Sequence, residues 1–146
     1  MRGVPDPTEA YLTRGARRWS IGLAAGTAVG VVAGVAGFTS GAFDDLVADI
    51  GERLPFVTGP GVPATALVLV VGVPQVAALA AALRRDRLAP VVATLAGAAL
   101  AVWVAGQAPV VGWSSPLQPI FFAVGVSETA VGYAWVCLAR TARMRA

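Results

Sequence analysis

Residues 117–139 read LQPIFFAVGVSETAVGYAWVCLA, an apolar run with one charge, Glu128, at its midpoint. About 20 apolar residues suffice to cross a hydrocarbon core of about 30 Å as a helix. A carboxylate at the bilayer centre costs about 3 kcal/mol even on lenient insertion scales. Such a group therefore turns toward a partner or a cavity. This stretch predicts a membrane-spanning helix and supplies the leading functional candidate.

Three further apolar runs have the same length class, at 19–38, 62–83 and 88–106. Pro90 falls in the first turn of the third, where its missing N–H is harmless. The chain is 57% hydrophobic and 13% charged, whereas soluble domains carry about a quarter charged residues. The expected fold is therefore all-α: a polytopic membrane protein with a four-transmembrane-helix bundle. At 146 residues it is one domain. Residues 1–18 form an N-terminal cytoplasmic segment, 19–139 the transmembrane domain and 140–146 a cytoplasmic tail. The first apolar run is longer than a signal-peptide core, so it is expected to be retained.

Orientation follows from arginine placement. Arg2, Arg14, Arg17 and Arg18 precede the first span, Arg84, Arg85 and Arg87 join the second to the third, and Arg140, Arg143 and Arg145 follow the last. In a four-span chain these ten share one side, against Arg53 alone on the other. The positive-inside rule then places both termini in the cytoplasm. Lysine is absent and Ala, Val and Gly are abundant, which suggests a GC-rich bacterial genome and a plasma-membrane location. Trp19, Trp103, Trp113 and Trp135 lie near expected boundaries and read as an interfacial belt.

The first outer connection places Phe43, Leu46, Val47, Ile50 and Leu54 at helical spacing, opposite Asp44, Asp45, Asp49 and Glu52. This predicts a short extracytoplasmic amphipathic helix between the first and second spans, with Ser40 as cap and Pro55 as stop. Its acids lack calcium-loop spacing. Ahead of the first span, Asp6, Pro7 and Glu9 have the pattern of a capped helix start, and Gly15 is a candidate interruption.

Several chemistries are excluded by composition. There is no histidine, so histidine-ligated metal, bis-histidine haem and histidine base catalysis are unavailable. The single cysteine, Cys137, excludes an internal disulfide and reads as a core residue near the end of the last span. No enzyme activity, metal, cofactor or nucleic-acid partner is expected.

Two patterns remain. Gly22, Gly26, Gly30 and Gly34 recur every four residues and form a helix-packing seam, because small residues let backbones approach closely in lipid. The seam fits packing within the chain or an interface between chains. The second pattern is a polar layer: Gln75, beside Pro74, falls at the depth of Ser127, Glu128 and Thr129, with Thr27 and Thr94 near the midplane of the other two spans. Gln75 is expected to hydrogen-bond Glu128. The layer reads as a structural lock or as a proton or ligand site. Residues 128–134, ETAVGYA, resemble a potassium-channel filter, but Ala130 separates Thr129 from Val131 and Ala134 replaces a filter glycine.

The stretches VVGVP at 70–74 and GWSSPLQPIFF at 112–122 resemble small uncharacterised four-helix membrane proteins of actinobacteria, DoxX-like in layout. The resemblance covers about the last two-thirds of the chain and implies a fold without assigning site residues. The expected function is a non-enzymatic scaffold or accessory subunit of a membrane assembly. Its partners would be the lipid bilayer and a second copy or another membrane protein. The alternative is a small proton-coupled transporter using Glu128.

Overall fold

The computed structural model describes residues 7–112 and 117–144. Among them the chain is all-helical. Helix α1 spans Pro7–Thr39, α2 Asp44–Arg53, α3 Gly61–Leu83, α4 Ala89–Val111 and α5 Leu117–Met144. All but α2 are long and apolar enough to cross a membrane.

The long helices form a ring. α1 packs on α3 and α5, and α4 packs on the same two, so α3 and α5 face each other across one diagonal. The tightest seam joins α4 to α5. A Cβ at Gly97 would lie 2.5 Å from the Thr129 nitrogen, one at Gly125 2.7 Å from the Ala101 nitrogen, and one at Gly132 2.6 Å from the Thr94 nitrogen. These three glycines let the two backbones touch over about two helical turns.

Three layers fill the ring. At the α2 end, Val31, Val71, Leu100 and Val104 pack with Trp103 and Phe121. The middle layer is Ala24, Ala78, Ala93 and Ala96. At the α3–α4 turn, Trp135 covers Ala82 and Ala89. Trp135 is thus buried, not part of an exposed belt, because the small alanines leave room that the indole fills. Trp19 is exposed and Trp103 half-buried, while Trp113 lies outside the described residues. Cys137, expected in the core, is exposed on the outward side of α5.

Several local expectations are corrected. α1 runs unbroken through Gly15. One glycine costs a helix about 1 kcal/mol, and the same turn is tethered to α3 by Arg17, whose Nε donates to the Ala82 carbonyl at 3.0 Å. Asp6 lies outside the described residues. Ser40 does not cap α2; its hydroxyl donates to the Gly37 carbonyl at 3.3 Å. Phe43 precedes α2 instead, packing edge-on against Phe38 with ring centroids 5.1 Å apart. On α2, Leu46, Val47 and Ile50 are half-buried while Asp44, Asp45 and Glu52 are exposed.

α4 continues past the expected end at 106, through Pro109 to Val111. The proline removes one backbone bond without stopping the helix. Gly112, at φ +67°, ends it, donating its N–H to the Ala108 carbonyl at 2.9 Å. In α3, Pro74 follows a π-helical turn at Val68–Gly72, where the Val73 N–H reaches back to the Val68 carbonyl. This wider turn accommodates the ring that would crowd the Val70 carbonyl in a regular helix.

The α3–α4 turn is closed by two bonds, Asp86 N–H to the Ala81 carbonyl (2.9 Å) and Arg85 N–H to the Ala82 carbonyl (3.3 Å). This is a Schellman end. The left-handed position is held by Arg85, at φ 55°, and not by glycine. Asp86 also accepts the Leu88 N–H at 2.8 Å, which starts α4.

Candidate functional site

The middle layer is built from alanine on three helices. Such small side chains leave space for long polar ones, and Gln75 from α3 and Glu128 from α5 occupy it. Both are fully buried, at 0% exposure. Gln75 Nε2 donates to Glu128 Oε2 at 2.7 Å, and it approaches the Ala96 carbonyl at a weak 3.5 Å. Because α3 and α5 lie on a diagonal, this bond crosses the centre of the ring. Glu128 is held in position from behind by the glycine seam, since a Cβ at Gly97 would lie 2.9 Å from the Glu128 carbonyl carbon.

The other expected members of the polar layer divide. Thr27 is buried on the inner face of α1. Thr94 and Thr129 are half-buried, and their hydroxyls donate to their own helices, to the Pro90 and Gly125 carbonyls at 2.8 Å each. Ser127 is exposed. Successive helical residues point about 100° apart, so Ser127, Glu128 and Thr129 cannot all face inward together.

Among the described residues, four buried side-chain atoms have no hydrogen-bond partner: Ser20 Oγ, Thr27 Oγ1, Gln75 Oε1 and Glu128 Oε1. Buried polar groups are normally satisfied, so such a concentration in one core is informative. Gln75 Oε1 and an ionised Glu128 Oε1 are both acceptors. One proton on Glu128 would turn that orphaned oxygen into a donor. The arrangement can therefore hold a proton. Ser20 was not evident from sequence; its only signal is its spacing of seven residues from Thr27, two turns along the same face.

The α1 glycines also divide. A Cβ at Gly30 would meet the Phe121 ring at 2.9 Å and one at Gly34 the Leu67 side chain at 2.8 Å. At Gly22 and Gly26 nothing lies within 4 Å. Half the seam thus packs inside the chain and half faces outward.

Between the four helices, toward the α2 end, lies a cavity of about 170 Å³. Gln107, Leu117 and Gln118 lie at its outer end, with Thr27, Val71 and Leu100 among its deeper walls. Gln75 is one turn beyond Val71, and Gly97, which abuts Glu128, is one turn beyond Leu100. The polar pair therefore sits about 5 Å below the cavity floor, with neither residue lining it.

Among the described residues, no group of three His, Cys, Asp or Glu gathers that could hold a metal ion. Compared with known proteins, the chain matches no family model, no curated protein and no solved structure.

Proposed function

We propose that the protein is a multi-pass membrane protein of the bacterial plasma membrane, with both termini cytoplasmic, that acts as a non-enzymatic scaffold or accessory subunit. The observation that carries this reading is the state of the one acid buried among the described residues, Glu128. Glu128 is fully enclosed and hydrogen-bonded to Gln75, outside the cavity walls. Used this way it locks α3 to α5, and the outward faces are left for partners. On α1 the open Gly22 and Gly26 offer a close approach to another helix. In this orientation α2 lies on the extracytoplasmic side with its acids toward water.

The experiment is the mass of the particle after mild detergent extraction. Wild-type protein is expected in a complex heavier than the monomer. Gly22→Leu with Gly26→Leu is expected to release the monomer without lowering its melting temperature. A monomeric wild type, or a complex indifferent to both changes, would rule the assembly role out.

The second reading, a proton-coupled transporter, is supported by the unpartnered Glu128 Oε1 and Gln75 Oε1 just below the cavity. Glu128→Gln keeps shape and hydrogen bonding but removes titration. Proton-gradient-driven flux in liposomes, abolished by this change with the fold intact, would favour it over the scaffold.

A further inference from the structure

We propose that the basic end of the bundle binds the phosphate of an anionic phospholipid between Arg17 of α1 and Arg84 and Arg85 of the α3–α4 turn. The Ala82 carbonyl brings these residues together. It accepts the Arg17 Nε–H at 3.0 Å and the Arg85 backbone N–H at 3.3 Å, so the half-buried Arg17 guanidinium sits directly beside the turn. That bond spends Nε and leaves the terminal amino groups, and a guanidinium donates to phosphate oxygens through such groups. Arg84 and Arg85 are both exposed. Three positive charges thus share one helix end, and Asp86, the acid of the turn, accepts the Leu88 N–H at 2.8 Å. A bound anion offsets the repulsion among the arginines.

Two further observations favour a lipid over a soluble anion and a site over diffuse charge. Leu83 and Leu88 flank the turn and are 57% and 63% exposed. A free phosphate gains nothing from them, whereas a phospholipid lays its chains on them with its headgroup at the arginines. Residues just past the apolar runs of a four-span bundle lie at headgroup depth, where basic pockets between helices take up anionic lipids. The second observation is the Arg85 backbone. It holds a left-handed position, at φ 55°, where glycine is the usual residue. A side chain there carries a conformational cost, and an observed outlier of this kind points to a use for the side chain. The proposal rests on the membrane-spanning reading and is independent of assembly.

The test uses the full-length protein in neutral detergent micelles, titrated with phosphatidylglycerol, phosphatidylcholine or inorganic phosphate, with bound lipid read by native mass spectrometry and melting temperature followed in parallel. Wild type is expected to bind phosphatidylglycerol saturably and to melt higher with it, with no such response to the other two. Arg17→Gln and Arg85→Gly are each expected to weaken phosphatidylglycerol about fivefold, the contribution of one arginine near the surface. Arg85→Gly should do so without lowering the melting temperature of the lipid-free protein, because it also relieves the turn. Arg140→Gln, which removes a charge at the same end on α5, should leave the affinity within about twofold. If Arg17→Gln fails to fold, Arg85→Gly against Arg140→Gln still decides. No preference for phosphatidylglycerol, an unchanged affinity in Arg85→Gly, or equal weakening by Arg140→Gln would overturn the proposal; the last would mean diffuse charge without a site. So would equal stabilisation by inorganic phosphate, since the ligand would then be a soluble anion. Co-flotation with phosphatidylcholine vesicles tests the membrane-spanning reading separately, so a protein that floats without preferring phosphatidylglycerol fails only here.

Discussion

The Gln75 amide nitrogen donates to Glu128 Oε2 at 2.7 Å across the diagonal of the helix ring, joining two helices that are not neighbours within it. Both residues are fully buried, and the energetics of the pair are directly measurable. Interhelical hydrogen bonds in membranes contribute about 0.6 kcal/mol on average and up to about 1.7. Stranding one buried partner adds a penalty of about 1–3 kcal/mol. Gln75→Leu and Glu128→Leu should therefore each destabilise the bundle by about 2 kcal/mol. The double substitution should fall well short of the sum, because neither partner is then left alone. A double-mutant cycle on unfolding in detergent checks this; strict additivity would mean that the bond contributes nothing.

The α4–α5 seam should be far less tolerant than the α1 glycines. Gly97→Ala and Gly125→Ala place a methyl within 2.7 Å of neighbouring backbone, which must move. A loss of more than about 2 kcal/mol is expected, the upper range of overpacking effects. Gly22→Ala and Gly26→Ala meet open space, and each should gain up to about 1 kcal/mol from helix propensity. Melting temperatures of the monomeric detergent form give the ranking.

Arg85 occupies a left-handed backbone position, at φ 55°, that disfavours side chains by about 1 kcal/mol or more. Arg85→Gly should relieve this and raise thermal stability by about 1 kcal/mol. Arg84 and Arg87 remain to hold the positive-inside bias. A fall in melting temperature would show that the guanidinium does more than decorate the turn.

Trp135 fills the gap over Ala82 and Ala89. Trp135→Ala should cost about 3–5 kcal/mol, as for other large core truncations. Trp19→Ala, at an exposed position, should change bundle stability by less than about 0.5 kcal/mol. Unfolding in detergent of the two variants side by side checks the contrast.

Topology is tested on a Cys137→Ser background. Single cysteines at Asp49 and Arg85 should label from opposite sides of the membrane, Arg85 from the cytoplasm. Labelling of both from the same side would contradict the four-crossing orientation.

The long apolar runs and the depth of the polar residues were legible in the linear chain. The four long helices follow from run length, and the meeting of Gln75 with Glu128 follows from matching their depths along the second and fourth helices, which run parallel across the ring. Helix ends were less legible. α1 passes through Gly15 and α4 through Pro109 because continuous backbone hydrogen bonding outweighs one unfavourable residue. The functional layer was only half legible. Depth is a property of one helix, whereas facing is a property of two, which is why Ser127 points outward beside the buried Glu128.

The sequence alone determined how many long apolar segments there are, which end is basic, and which polar groups share a level, because each depends on distance along the chain. The tertiary structure alone decided which glycines touch a neighbour and which face outward, that Trp135 is core, and that a cavity ends at Thr27. Those outcomes depend on how the helices rotate about their own axes when packed. That rotation is set by contacts such as Gly97 on Thr129, between residues that sit on different helices.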